Sequence, residues 1–374
     1  MLTEELRRNQ KIYDEYLDPE FGKFLSQEIT EFLAKYYFRA ELIGFEDGLP
    51  ARTNPDRPII YISNHSGMAF PWDGMIMSTL FYKMGGYEFD DAFRPVVAPM
   101  LSQSLLMNPY MIPHLWKRVG SVDATFLNLE TMMHYQGGNI LIYPEGVPGI
   151  GKGFNNKYKL QRFSSSFIYN SIKYKTNVIG IVTINGEYIN PYAYTLDWVD
   201  KLVQKLGVPF FPLGFLTPFL LLVPWIFYLA YPAKLKFVRC RELKPYEMTD
   251  KSIDELSREE LQAIAEDCRL QIQEDLDKAV EEHGQKPYDL KEFFSVLFKN
   301  WRLFPYTVPA GWPLLFAEFE NKYKHFQKTG EKKPLDLGFG SFIRILFQSP
   351  ITICFYIPIL GWIPLLIKGF RKKF

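Results

Sequence analysis

Cysteine is scarce. The 374 residues contain three, Cys240, Cys268 and Cys354, too far apart for a disulfide framework or a CxxC metal site. A reducing, cytosol-facing location is the simpler expectation. An excess of either charge is missing as well: Lys plus Arg number 43 against 42 Asp plus Glu. The resulting net charge of +1 leaves no electrostatic footprint for a nucleic-acid partner. The N-terminus, MLTEELRRNQKIYDEYLDPEFGKF, lacks the apolar centre of a secretory signal and is too acidic for a transit peptide. No G-x-S-x-G elbow and no H-E-x-x-H occurs, so a serine hydrolase and a zincin have no support. Aromatic residues, by contrast, are abundant at 17%, with 32 Phe and 23 Tyr beside 26 Pro. That mixture fits a protein that touches lipid better than a routine soluble enzyme, and 47% apolar residues suffice for a sizeable core.

Two long runs carry no charge, Leu206–Ala233 over 28 positions and Ile345–Ile367 over 23. Each exceeds the roughly 20 residues that a spanning helix needs. Proline opposes a clean span: Pro209, Pro212, Pro218 and Pro224 cut the first run, and Pro350, Pro358 and Pro364 the second. An interior proline costs about 3 kcal/mol in a helix, and lipid cannot satisfy the backbone groups it frees. Broken, interfacial or re-entrant segments on a membrane are therefore expected, with a loop and hairpin buried in the core as the alternative. Basic residues follow both runs: Lys234, Lys236, Arg239 and Arg241, then Lys368, Arg371, Lys372 and Lys373. That placement suits the anionic cytoplasmic leaflet of a membrane.

Residues up to about Ala40 read as one or two surface helices, the second opening at Ser26 with Glu28 in its first turn. A short β-branched run, RPIIYISNHSG, breaks on Asn64, and four further strand candidates follow: RPVVAP, NILIYPEG, VIGIVTINGE and KLKFVRC. Helical stretches separate several of them, one running from Asp73 to a stop at Gly85 and Gly86, others at FLNLETMMHYQ and YKLQRFSSSFIYNSIKY. This alternation predicts an α/β fold, a mostly parallel central sheet flanked by helices. Residues 257–283 form one amphipathic helix: Ser257 and Glu260 have capping-box spacing. Leu261, Ile264, Cys268, Ile272, Leu276 and Val280 share a face, and Gly284 stops it. The expected division is an N-terminal helical segment (1–46), a core (47–245), the amphipathic helix (246–284) and a C-terminal extension (285–374).

Among five histidines, only His65 occupies a strand-to-helix loop with small neighbours, SNHSGMAFPWDG. Loops beyond strand ends are where α/β folds place ligands. Asp73 follows at the start of a helix, and a carboxylate on one imidazole nitrogen leaves the other as a base. Two readings stay open, a catalytic pair, or a helix-capping Asp73 beside a satisfied loop histidine. Gly146 to Lys152 has the spacing G-x-x-x-x-G-K of a phosphate-binding loop. Gly153 stands where that motif needs Ser or Thr, and Pro148 removes a backbone donor, so a nucleotide hydrolase is set aside. Glu145–Gly146 reads instead as a polar turn at a strand end, facing the His65 loop across a cleft. Glu88, Asp90 and Asp91 form an acidic cluster that reads as a solvated face ahead of a cation site, and no metal site is expected.

The order of these pieces resembles the glycerolipid and lysophospholipid acyltransferase family. The likeness runs from about Pro58 to Arg241 and rests on SNHSG…PWDG, KRVGSVDATFLNLETMMHYQGGNILIYPEGVPG and VIGIVTINGEY. It implies a glycerol-3-phosphate acyltransferase-like fold and a catalytic pair at His65 and Asp73. The implied substrate contacts are Asn64, Gly67, Glu145, Gly146 and Lys152. It also implies acyl transfer from acyl-CoA or acyl carrier protein to a hydroxyl of a lysophospholipid or neutral glyceride, without a covalent intermediate or a cofactor. The bilayer would be the partner, at its cytoplasmic face. Seven residues rather than the family's usual four separate His65 from Asp73, which looks like a divergent, diacylglycerol-acyltransferase-like branch. The stretch GSVDATF also lacks the arginine that binds an acceptor phosphate, and Val147 and Pro148 replace the polar and basic residues common after Pro-Glu-Gly. Lys117, Arg118, Lys152 and Lys157 are the cations available to compensate. A lipid-binding or scaffolding protein that kept this fold but lost turnover is the competing expectation.

Overall fold

The computed structural model describes residues 2–68, 70–103, 107–205, 210–338 and 340–369. Seven strands, β1 (Glu41–Ile43), β2 (Ile60–Ser63), β3 (Phe93–Val97), β4 (Val122–Asp123), β5 (Asn139–Ile142), β6 (Val178–Ile184) and β7 (Lys236–Leu243), form one sheet. Their order is β1-β7-β6-β2-β5-β3-β4. Strands β2 to β6 run parallel; β7 is antiparallel to β6, and β1 pairs parallel to β7. The central strands β2, β5 and β6 are buried at every residue, which is why they read as unbroken apolar runs. Alternate residues serve two cores. Tyr61, Leu141, Ile179 and Ile181 face one side, and Ile60, Ile62, Ile140 and Ile142 the other.

On the second side lie the helices Phe126–Met132, Ser166–Tyr174 and Arg258–His283. The last has the expected capping box and buries Ile264, Cys268, Ile272 and Leu276 against β6 and β7. Ser166–Tyr174 is shorter than expected. Ahead of it, side chains replace helical partners: Gln273 Oε1 accepts from Leu160 N–H at 2.8 Å, and Glu145 from Gln161 N–H at 2.6 Å.

The first side carries the helices Trp72–Met84 and Trp312–Thr329 and the N-terminal helical run 19–38. That run corrects the expectation of surface helices opening at Ser26. It starts at Pro19 under an Asp18 cap, whose carboxylate accepts from Phe21 N–H at 3.0 Å, and continues through Ser26 without a break. Phe21, Leu25, Ile29, Leu33 and Tyr37 recur every fourth residue and are all buried. In a pure α-helix such a stripe drifts by about 40° per step. Wider π turns at Ser26–Thr30 and Ala34–Phe38 slow the rotation and keep it on the core. The C-terminal extension joins the same core through Trp312, Leu315, Phe316 and Phe319.

Both uncharged runs are broken where proline demands it. The first yields Thr217–Leu222 and a 3-10 turn at Pro224–Tyr228; across the second lie Ser341–Gln348, Thr352–Tyr356 and Trp362–Gly369. Among the described residues, no helix is long and apolar enough to cross a membrane. Leu206–Pro209, Arg371, Lys372 and Lys373 lie outside the described residues. The basic group after the first run is partly committed within the fold. Lys234 pairs with Glu41 and Glu292, each at 2.9 Å, and Arg241 with Asp275 at 2.7 Å and Glu274 at 3.1 Å.

Candidate functional site

Where β2 ends, the chain leaves the sheet on Asn64, whose amide locks onto β6. Its Nδ2 donates to Thr183 O at 3.2 Å, and its Oδ1 accepts from Thr183 N–H at 2.7 Å. Fully buried, with Nδ2 and Oδ1 each bonded to β6, Asn64 holds the loop in place. Gly67 comes next in the same packing. Its φ is +102°, and a Cβ there would lie 2.7 Å from Gly186 O. Loop and turn backbones thus pass at a distance that only glycine permits. Gly67 therefore fits the loop against the turn after β6.

The longer loop still closes on its carboxylate. Met68 turns the chain back at φ 43°, and Asn190 Nδ2 pins its carbonyl at 2.9 Å. His65 Nδ1 lies 3.1 Å from Asp73 Oδ2. Asp73 is fully buried in the first turn of Trp72–Met84, where the positive end of the helix favours its charge. Its Oδ1 accepts from Gly74 N–H at 2.8 Å. Tyr143, the residue after β5, lays its ring against the imidazole with centroids 4.3 Å apart and planes at 31°. Asp73 on Nδ1 fixes the tautomer that leaves Nε2 free to take a proton.

Glu145 meets the loop directly rather than across a cleft. Its Oε1 accepts from the His65 main-chain N–H at 3.1 Å, and its Oε2 from Gln161 N–H. Burial pushes this carboxyl above the ordinary range, and the nearby Lys152 charge and the two N–H donors pull it back. Gly146 N–H is committed to the turn, donating to Tyr143 O at 2.9 Å, while Gly146 itself lines the cavity described below. Lys152 is not brought to the cavity. Its ammonium sits 3.3 Å from Glu187 Oε1 and donates to Lys159 O at 3.2 Å, with both paired side chains almost wholly buried. That placement also removes the lysine a phosphate-binding loop would need. Lys117 pairs with Asp123 at 3.5 Å, Arg118 with Asp18 at 2.9 Å, and Lys157 covers the Phe154 ring at 4.9 Å. Among the described residues, no group of three or more His, Cys, Asp or Glu side chains is placed to hold a metal ion.

His65 opens onto an apolar cavity of about 560 Å³. Its walls come from Met75 and the rest of one face of Trp72–Met84, Phe93 on β3, Leu25 on the N-terminal run, and Leu216, Leu220 and Phe227 from the first uncharged run. A cavity of this size has the volume of a site for a drug-sized ligand. Four residues that shape the site were not singled out by sequence reasoning: Tyr143, Thr183, Gly186 and Asn190. Thr183 and Gly186 lie within the noted VIGIVTINGEY, but partners for a loop over 100 residues away leave no local signal.

Similarity to known proteins is confined to part of the chain. An uncharacterized protein of Mycobacterium tuberculosis is 27% identical over 207 residues, covering 55% of this chain and 53% of its own length. One from Mycobacterium leprae is 27% identical over 207 residues, covering 55% of this chain and 52% of its own. The chain thus spans about half the length of the curated relatives it matches. No family model and no solved structure matches it.

Proposed function

We propose that this chain is a membrane-associated O-acyltransferase, moving a fatty acyl group from acyl-CoA or acyl carrier protein to a hydroxyl of a glycerolipid-like acceptor. One observation carries the reading: a histidine oriented by a buried carboxylate, 3.1 Å away, opens onto a large apolar cavity. His65 Nε2 removes the acceptor's proton, and Asp73 stabilises the resulting imidazolium. The alkoxide attacks the thioester directly, so no acyl-enzyme forms. His65 then protonates the departing thiolate. Such a base contributes typically about 10²–10⁴-fold. The internal pairing of Lys117, Arg118 and Lys152 favours an acceptor whose reacting end carries no phosphate, a neutral glyceride ahead of a glycerol phosphate. The cytoplasmic face of a membrane suits the substrate and the scarce, unpaired cysteines.

The test pairs wild type with His65→Ala in vesicles containing long-chain acyl-CoA and a panel of lysophospholipids, monoacylglycerol and diacylglycerol, read by mass spectrometry. A new acylated lipid is expected from wild type, with its rate reduced at least about 10²-fold in the variant. Full transfer by His65→Ala overturns the reading. Lipid retention without transfer by either protein would turn it toward a non-catalytic lipid carrier.

A further inference from the structure

Tyr143 is a residue of this site whose chemistry is unused, and its ring lies directly on His65. Its hydroxyl is buried, and among the described residues it has no hydrogen-bond partner. The ring already packs on His65, a contact phenylalanine would make equally well. Packing therefore explains the ring and not the oxygen, since a buried hydroxyl without a partner is destabilising. Its position is specific. The oxygen lies over Gly74, where a Cβ would come within 3.0 Å of it, so a side chain at 74 would crowd it. Gly74 stands in the first turn of a 13-residue helix, whose positive end favours negative charge nearby. Tyr143, Gly74 and His65 line the same cavity.

We propose that the Tyr143 hydroxyl is a catalytic group, donating a hydrogen bond to the oxyanion formed during acyl transfer. The inference rests on the acyl-transfer reading. As the acceptor O–H gives its proton to His65 Nε2, the acceptor oxygen bonds to the thioester carbonyl carbon. The carbonyl π pair moves onto its oxygen, which accepts from Tyr143 O–H. Collapse restores the C=O bond and breaks C–S, and the thiolate takes the proton back from His65. Ester and free thiol leave together, with no net change in the enzyme. Burial and the charge of Asp73 both push the phenol well above its ordinary pKa, so it keeps its proton at neutral pH.

Tyr143→Phe tests this, because it removes one oxygen and keeps the ring. Turnover is expected to fall about 10²-fold, as for loss of one oxyanion donor, with KM little changed. Thermal unfolding is expected at the same temperature or higher. An acyl-CoA thioether, which has a methylene in place of the carbonyl, is expected to bind both proteins equally. Equal turnover by Tyr143→Phe and wild type, with His65→Ala inactive, overturns the tyrosine's role and leaves the acyl-transfer reading standing. A slower variant with lower thermal stability and weaker thioether binding makes the hydroxyl structural and overturns it too. No transfer by wild type removes both.

Discussion

His134 ties one proton to the fold, away from the candidate site. Arg57 can only donate, so the 3.0 Å contact between its guanidinium and His134 Nδ1 makes that nitrogen an acceptor. Nε2 then carries the hydrogen and donates to Tyr174 OH at 3.1 Å, which in turn donates to Glu130 Oε1 at 3.0 Å. Partial burial and then the Arg57 charge hold the imidazole below its usual pKa. The folded state therefore binds this proton less readily than the unfolded chain. The stabilisation is complete above the unfolded value of about 6.5 and is lost as pH falls through the lower folded value. Below about pH 6.5, the unfolding temperature of wild type is expected to fall more steeply than that of His134→Gln. Parallel curves would remove His134 from the linkage. Its neighbour in chain order, His114, is shifted in the same direction, so the paired comparison is needed.

Elements differ in how far their own residues announce them. Three of the five legible strands, β2, β5 and β6, announce themselves as apolar runs such as VIGIVTI because they pack on both faces. β1 and β4 were not legible: Glu41–Ile43 is only partly buried and Val122–Asp123 is two residues long, so pairing in the sheet makes them strands. The run 19–38 did hold a signal, the stripe from Phe21 to Tyr37, but aromatic residues around it masked which side was inward. For the candidate site, His65 and Asp73 were legible from chemistry and order, whereas the burial of Lys152 depends on Glu187, which is distant in sequence. The Arg258–His283 helix was the most legible element because its start is local. Ser257 Oγ accepts from Glu260 N–H at 3.1 Å, and Glu260 Oε2 accepts from Ser257 N–H at 2.9 Å. Ser257→Ala is expected to cost about 1 kcal/mol in urea unfolding at pH 7; an unchanged midpoint would remove the cap's contribution. The Lys251 ammonium and the Ser257 N–H hold the Glu260 carboxyl down to about 2. Its contribution is present above its ordinary value of about 4.3 and is lost as pH falls toward 2. Glu260→Gln therefore should flatten the acid limb of the stability curve.

At the scale of the whole molecule, the two uncharged runs meet. Ile359 N–H donates to Leu222 O at 2.7 Å, and Trp362 Nε1 to Leu221 O at 2.8 Å. Phe215, Phe219, Leu221, Ile359, Ile363 and Leu366 are exposed along these segments, while Leu216 and Leu220 turn inward to the cavity wall. Exposed apolar residues on the segments that also wall a large apolar cavity lead us to expect flotation with neutral phosphatidylcholine vesicles. Because Lys234 and Arg241 are paired internally, binding should persist in about 1 M salt, where the Debye length is only about 3 Å. Burial of a phenylalanine ring is worth about 2 kcal/mol, so Phe215→Ser is expected to weaken partitioning about thirtyfold. No flotation by wild type, or release by salt, would overturn this mode of attachment. The antiparallel edge has a different consequence, one of timing. β1 is made early, yet its strand partner begins at Lys236, about 190 residues downstream. On a ribosome, the first strand must wait for more than half the protein before its backbone can pair, and the loop so closed is among the costliest in entropy. The first strand and the middle of the chain are thereby bound into one folding event, and cutting the protein between them would leave an edge with nothing to join.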